Sequence, residues 1–392
     1  AVQCGRPLLA RQTFDRTVFD LVILGCVNVI ADEMNPARVA ALRLGLGKEM
    51  VAFTVQINCG SGMQSIDTAY RYVRNGSHQM ILAGGTEALT LRRSAVEWFG
   101  QMNGAKGPLA QARTMAGIKP EFFKPVIGLE RGLTDPITEL NMGQTAEVLA
   151  HRFGIDRKAA DGYAMESHHR LTAAQKDGTF LCELMPAFDR DGTVYDHDDG
   201  VRPDSDMEGL AKPKPVFEPP YGKVTAGNSS QITDGASWCI IASQQAVDKH
   251  GLEPLAEIRD SEWAGLDPSI MGLSPVLAST PIAQRHGLSV DDIDLWELNE
   301  AFAAQVLSCL AAWQDVDFCK KILGLDEIFG RIDRNRLNVD GGAISLGHPV
   351  GTSGNRIVLH LANAMKKRGA KRGIATECIG GGLGGAMLLE AV

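Results

Sequence analysis

No run of apolar residues in this chain approaches the roughly 18 that would cross a bilayer as a helix, so an ordinary transmembrane span is excluded. The opening residues, Ala1-Val2-Gln3-Cys4-Gly5-Arg6, hold no apolar signal-peptide core. Positive charge is in deficit. The 39 Lys and Arg against 47 Asp and Glu leave a formal net charge of −8, which argues against nucleic acid as a partner. Paired cysteines are also missing. Eight cysteines stand at positions 4, 26, 59, 182, 239, 309, 319 and 378, and none forms a C-x-x-C unit. That scatter fits neither a disulfide framework nor a zinc site, and it suits a reducing, cytosol-like compartment. Most of the eight read as small buried hydrophobes. What remains is an ordinary globular composition in 392 residues, 44% apolar and 22% charged, long enough for two or three domains.

Glycine is the residue in surplus, and it punctuates short β-like runs. Leu21-Val22-Ile23-Leu24-Gly25, Met80-Ile81-Leu82-Ala83-Gly84-Gly85, Gly373-Ile374-Ala375-Thr376 and Gly385-Ala386-Met387-Leu388-Leu389-Glu390 read as strands. Between them, Met63, Ile66, Ala69, Tyr70 and Val73 recur at helical spacing over 61–74, as do Ile357, Leu361, Ala364 and Met365 over 353–367. Alternating strands and helices predict α/β layers. Two segments echo each other: Cys59, then a helix, then the strand ending at Gly85; and His348, then a helix, then the strand ending at Cys378. Each sets a reactive side chain before a glycine-containing turn, which reads as an internal repeat whose halves meet at a shared site. Residues 91–230 interrupt the pattern. The stretch 92–131 holds seven Lys or Arg among Trp98, Phe99, Phe122 and Phe123, and 189–206 holds seven Asp. This middle third reads as an insertion with surface roles, containing helices over 141–153 and 159–180.

Several residues could carry chemistry. Cys59, in Asn58-Cys59-Gly60-Ser61-Gly62, directly precedes a helix whose N-terminus would favour a thiolate; a buried structural cysteine is the alternative. His348, in Gly347-His348-Pro349-Val350-Gly351, projects from a fixed turn and is either inert or the base that activates a thiol. Cys378 ends a strand before Ile379-Gly380-Gly381-Gly382, whose N–H groups could face an oxyanion. The G-x-G-x-x-G match at 380–385 is rejected as a dinucleotide site, because only seven residues follow and they read as a strand. Asn299-Glu300 before a helix reaching Trp313 reads as capping, or else as an Asn that orients a water. The Asp196–Gly200 cluster has the wrong spacing for a calcium loop, and Met207 stands where the twelfth-position Glu belongs. His168 and His169 cannot share one metal on a helix, and no metal site is expected.

Taken together, Asn58-Cys59-Gly60-Ser61-Gly62, Ala83-Gly84-Gly85-Thr86-Glu87, Asn141-Met142-Gly143-Gln144-Thr145-Ala146-Glu147, Val224-Thr225-Ala226-Gly227-Asn228-Ser229-Ser230, Asn299-Glu300-Ala301-Phe302, Gly347-His348-Pro349 and Cys378-Ile379-Gly380-Gly381-Gly382 resemble the thiolase family over nearly the whole chain. The resemblance implies an α/β thiolase fold: two similar βαβαβαββ halves in a five-layered α/β/α/β/α core with an inserted loop domain. It assigns residues 1–90 and 231–245 to the N-terminal half, 91–230 to the insertion and 246–392 to the C-terminal half. Family members usually open with a strand carrying Arg-Thr-Pro, and this chain starts beyond it. Asn141 stands where short-chain biosynthetic members commonly have His. The stretches 92–131 and 318–335 look like the β-subunits of fatty-acid oxidation complexes, whereas Cys378-Ile379-Gly380-Gly381-Gly382 is closer to simpler thiolases.

The resemblance further implies thiolysis of a 3-ketoacyl-CoA by CoA through an acyl-Cys59 intermediate, giving acetyl-CoA and a shortened acyl-CoA in fatty-acid β-oxidation. His348 would be the base and Cys378 the acid. Asn299 would hold a water, and the N–H groups of Cys59 and Gly380 would form an oxyanion site. Met142, Ala226, Ser230, Ala301 and Phe302 would line the pantetheine tunnel. Coenzyme A enters as co-substrate, and no cofactor is held permanently. The alternative activity is a biosynthetic acetoacetyl-CoA thiolase; a condensing ketosynthase and a non-catalytic acyl-CoA carrier of the same fold fit less well. Expected partners are CoA thioesters, a second copy or three more, and a hydratase/dehydrogenase α-subunit, with peripheral membrane contact by 92–131 as another reading. The expected location is the bacterial cytoplasm ahead of the mitochondrial matrix.

Overall fold

The computed structural model describes residues 1–30, 33–89, 94–95, 107–109, 126–127, 132–189 and 191–392. Eight strands make two four-stranded sheets. In the first, β1 (Leu21–Gly25), β2 (Ala52–Val55), β3 (Met80–Glu87) and β4 (Gly235–Ala242) lie in the order β2-β1-β3-β4. The first three are parallel and β4 is antiparallel to β3. In the second, β5 (Glu257–Gly265), β6 (Leu295–Leu298), β7 (Arg372–Ile379) and β8 (Leu383–Glu390) lie in the order β6-β7-β8-β5. There β6 and β7 are parallel, and β8 is antiparallel to both of its neighbours.

The strands are apolar on both faces because each sheet is covered on both sides. Val22, Leu24 and Leu82 turn outward to α1 (Val2–Ala10) and α2 (Pro36–Arg43). Their neighbours Ile23, Ile81 and Ala83 turn inward to α3 (Ser61–Arg74). In the second sheet Ala375, Met387 and Leu389 face the same inner layer. Ile374 and Leu388 face outward, towards the helices Ser274–Arg285 and Ala303–Ala312. The inner layer is α3 together with the helix Val350–Arg368, and both sheets pack on it, which completes the five-layered thiolase arrangement.

The two inner helices approach unusually closely. A Cβ on Gly62 would stand 2.6 Å from the Asn355 nitrogen and 2.8 Å from the Thr352 oxygen. A Cβ on Gly354 would stand 2.5 Å from the Met63 nitrogen. Only glycine lets the first turns of both helices touch, and that contact draws together the residues just ahead of them, Cys59 and His348.

Two expectations are corrected here. The interrupting segment is not confined to the surface: Leu149, Ala160, Tyr163 and Ala164 from its helices Met142–Arg152 and Arg157–Lys176 share a core with Trp296 and Val306. Neither Asn299 nor Glu300 caps a helix, because the helix begins at Ala303 and its N-cap, Phe302, makes no side-chain cap bond. The basic, aromatic stretch 92–131 lies, apart from a few positions, outside the described residues.

Candidate active site

Cys59 leaves β2 through a pinned turn. Asn58 takes a left-handed conformation, φ 47°, and its Nδ2 donates to the Gly380 carbonyl at 2.8 Å. The Ser61 hydroxyl donates to the Asn58 carbonyl at 2.7 Å and accepts from the Ile57 N–H at 2.9 Å. No side chain caps α3; the Gly60 and Ser61 N–H groups donate instead to the Ile57 and Asn58 carbonyls, each at 3.1 Å. That helix end nonetheless fails to lower the thiol as expected. Burial, joined by the nearby Glu377 carboxyl, pushes Cys59 up to about 12. The N–H groups of Gly380 and of Cys59 itself point at the sulfur and oppose the rise. At rest Cys59 is a thiol.

Cys378, at the end of β7, is 1% exposed and packs with Met271, Ala301 and Phe302. Burial first, then the neighbouring Cys59, push it well above the ordinary thiol range. It is a protonated group against an apolar wall. Beyond it the chain turns sharply through Gly381 and Gly382, φ 89° and 77°.

His348 follows Gly347, whose φ of 99° sets the corner, and its N–H donates to the Gln231 carbonyl at 2.9 Å. Burial, helped by the Arg356 charge, pulls the imidazole down to about 4, so it is neutral at pH 7. Its Nε2 faces Asn299 Nδ2 at 3.5 Å, and its Nδ1 meets Ser353 Oγ at 2.6 Å. Asn299 is held to β7 by its N–H, which donates to Thr376 O at 2.9 Å. Its Oδ1, buried, finds no protein donor among the described residues, which suits an atom that holds a water.

Glu300 explains why Asn299 stays in place. Its carboxylate accepts from Tyr163 Oη at 2.9 Å, Ser167 Oγ at 2.7 Å, Asn338 Nδ2 at 3.0 Å and the Ile344 N–H at 3.2 Å. Three separate segments, the helix Arg157–Lys176 and the stretches at Asn338 and Ile344, are thereby tied to the residue after Asn299. Glu87 acts similarly at the other helix. It accepts from the N–H groups of Val27 at 3.1 Å, Asn28 at 3.2 Å and Gly351 at 3.1 Å, and so fixes the turn behind His348.

The structure therefore brings Cys59, Cys378 and Gly380 together directly, while His348 meets Asn299, which is bonded to β7 at Thr376, two residues before Cys378. Met142 lies by Gly380, its sulfur 3.3 Å from where a Gly380 Cβ would stand. Ala301 and Phe302 pack on Cys378, and the Ser230 N–H donates to Ala301 O at 3.0 Å. Ala226 is exposed on its turn, and only its neighbour Val224 joins this cluster. Sequence reasoning missed Phe217, whose ring meets Phe302 edge-on at 6.1 Å, and it missed Ser353 and Glu377. A carboxylate ending an apolar strand was the available signal for Glu377. Among the described residues no cluster of His, Cys, Asp or Glu could hold a metal, and no helix is long and apolar enough to cross a membrane.

A duplicated α/β scaffold with paired inner helices, a thiol and an imidazole just ahead of them and a second thiol near the end of β7 defines the class. The chain matches the family "Thiolase, N-terminal domain" over residues 2–245 and "Thiolase, C-terminal domain" over 252–391. It is 39% identical over 393 residues to the 3-ketoacyl-CoA thiolase of Cronobacter sakazakii, covering 99% of this chain and 91% of that one. It is 38% identical over 374 residues to the acetyl-CoA acetyltransferase of Chromobacterium violaceum, covering 94% and 87%. The solved human mitochondrial 3-ketoacyl-CoA thiolase in complex with CoA superposes with a TM-score of 0.85 at 36% identity, covering 100% and 91%. The chain belongs to the thiolase family of acyltransferases.

Proposed function

We propose that this chain is a degradative 3-ketoacyl-CoA thiolase that uses coenzyme A as co-substrate and works by a ping-pong mechanism. The observation that carries the reading is the convergence of Cys59, Cys378 and the Gly380 N–H at the crossing of the inner helices, with His348 and Asn299 alongside.

The resting charges define the order of events. Cys59 is held as a thiol and His348 as a neutral base, so no ion pair exists before substrate arrives. As the sulfur attacks the 3-keto carbonyl, its proton passes to His348. The N–H groups of Cys59 and Gly380 receive the oxygen of the tetrahedral centre, each donor contributing about 3 kcal/mol in the transition state. The C2–C3 bond then breaks. The acyl group stays on Cys59, and the acetyl-CoA enolate takes a proton at C2 from Cys378, which burial keeps loaded. The protonated His348 and the water on Asn299 steady the enolate oxygen until that transfer. The Cys378 thiolate next takes the proton of incoming CoA. The CoA sulfur attacks the acyl-Cys59 thioester, and the departing Cys59 sulfur recovers its proton from His348. Every group returns to its starting state.

The division into an N-terminal half of residues 1–90 and 231–245, an insertion of 91–230 and a C-terminal half of 246–392 is part of the same reading. It is supported by the pairing of β4 with β3 across the interrupting segment.

The test is an absorbance assay of thiolysis on acetoacetyl-CoA and on a long-chain 3-ketoacyl-CoA. We expect the long substrate to be preferred by kcat/KM, and Cys59→Ala to lose both the activity and the acyl adduct seen by mass spectrometry. Preference for acetoacetyl-CoA would move the chain to the biosynthetic activity. CoA binding with neither activity would make it a carrier.

A further inference from the structure

Ser353 lies in the first turn of the helix Val350–Arg368 and is fully buried. Nothing in the mechanism above uses it, yet its hydroxyl makes the shortest contact of His348, 2.6 Å to Nδ1. We propose that Ser353 is a positioning residue that fixes His348 as the Nδ1–H tautomer and so reserves the Nε2 lone pair for the Cys59 proton. The inference rests on the base role given to His348 above.

The proton count is consistent with this assignment. A serine hydroxyl has one hydrogen to give. Ser353 Oγ has two neighbours at hydrogen-bond distance: His348 Nδ1, and the Pro349 carbonyl at 3.3 Å. A carbonyl can only accept, so if the hydroxyl donates to Pro349, whose oxygen also receives the Thr352 and Ser353 N–H groups at 2.7 and 3.0 Å, it accepts from Nδ1–H. The other edge of the ring gives the same answer. Asn299 offers its amide Nδ2 to Nε2 at 3.5 Å. An amide NH2 can only donate, so Nε2 must present a lone pair. In this orientation Oδ1 faces away from the ring, toward the position given to the water. Both neighbours are compatible with the same tautomer, and a ring nitrogen's state is set by the bond the other nitrogen makes. A ring that is neutral at pH 7 has a tautomer to be fixed.

The bond also survives the proton transfer. Once Nε2 has taken the Cys59 proton, Nδ1–H still donates to Ser353, and the new Nε2–H points to where the enolate oxygen forms. No ring flip separates the two roles.

The test reads the tautomer in substrate-free enzyme by 15N NMR with labelled histidine, the His348 signals being identified by their loss in His348→Asn. We expect Nδ1 to resonate as the protonated nitrogen and Nε2 as the unprotonated one. An Nε2–H tautomer in the unaltered protein overturns the proposal, whatever the activity. In Ser353→Ala we expect the two tautomers to mix, kcat for thiolysis to fall by roughly 10- to 100-fold, and KM for CoA to stay within about two-fold. Ser353→Thr, which keeps a hydroxyl, should recover most of the lost kcat. An Ala variant that retains both the pure tautomer and full kcat also refutes the assignment. Because the NMR reading needs no turnover, it stands or falls separately from the thiolase activity. If the Ala variant does not fold, the unaltered protein alone still decides.

Discussion

At the scale of single residues, the least comfortable group in the molecule is Glu377. It precedes Cys378 on β7, is fully buried, and neither carboxyl oxygen finds a hydrogen-bond donor among the described residues. It is wedged against Gly354, where no side chain could coexist with it. Burial raises it well above the ordinary carboxylate range, with only the Arg356 charge pulling back. An acid raised in the folded state costs stability as pH climbs. Below about 4.3, the ordinary Glu value, both states are protonated and nothing is lost. Above it the unfolded chain gives up the proton and the folded chain keeps it, so unfolding is favoured until the folded group also ionises. Glu377→Leu should therefore stabilise the protein, by about 1–3 kcal/mol at pH 8 and by less at pH 5. Urea midpoints at the two pH values measure this. A Leu variant that is less stable at both would mean that the carboxyl is satisfied by ordered water.

At the scale of elements, the site depends on two helices meeting without side chains between them. A methyl on Gly354 would collide with the Met63 backbone and with Glu377. Gly354→Ala should destabilise the fold by about 1–3 kcal/mol and should separate His348 from Cys59. Thermal unfolding should show the first effect, and a fall in kcat larger than any change in KM the second. An Ala variant with unchanged kcat would mean that the helix crossing does not set the site. The elements themselves were legible in the residues. Met63, Ile66 and Ala69 gave the period of α3, and the runs ending at Gly25 and Gly85 gave β1 and β3. The echo between Cys59 and His348 was legible too, because glycine and a reactive side chain sit at matching places before each helix. What could not be read was anything fixed by distance across the fold. The role of Glu300 in tying three segments looks in sequence like a helix cap. The contact of Ser353 with His348 looks like an ordinary hydroxyl in a helical first turn. The thiol of Cys59 seemed favoured as a thiolate by its helix, because burial and the approach of Glu377 are properties of the folded chain only.

At the scale of the whole molecule, one buried charge cluster ties the interrupting segment to both the inner layer and the second sheet. His360, on the helix Val350–Arg368, meets Glu183 through Nδ1 at 2.8 Å, and its Nε2 lies 3.5 Å from Asp340 and 3.7 Å from Glu297 on β6. Phe180 stacks on the ring at 5.3 Å, and Arg368 joins Asp340 from outside at 2.8 Å. Burial alone would drive the imidazole neutral. The Glu183 charge, the nearby Asp340 carboxylate and the hydrogen bond with Glu183 outweigh it and lift the group to about 10. Its unfolded value is about 6.5. The stabilisation is therefore complete below pH 6.5 and is lost as pH rises through 10. Glu297, raised by burial to about 7, adds a loss in the same direction at lower pH, since the folded state holds a proton there that the unfolded state has released. Melting temperatures should fall steadily from pH 6.5 to 10. His360→Gln should lower stability at pH 6.5 by about 3–5 kcal/mol, because three carboxyl groups lose their shared cation, and it should flatten the alkaline slope. A variant that keeps the slope of the unaltered protein would show that the pH dependence arises elsewhere. Because Glu183 and Phe180 come from the interrupting segment while Asp340 and Glu297 come from the second half, loss of this one imidazole should loosen the join between them before either sheet unfolds.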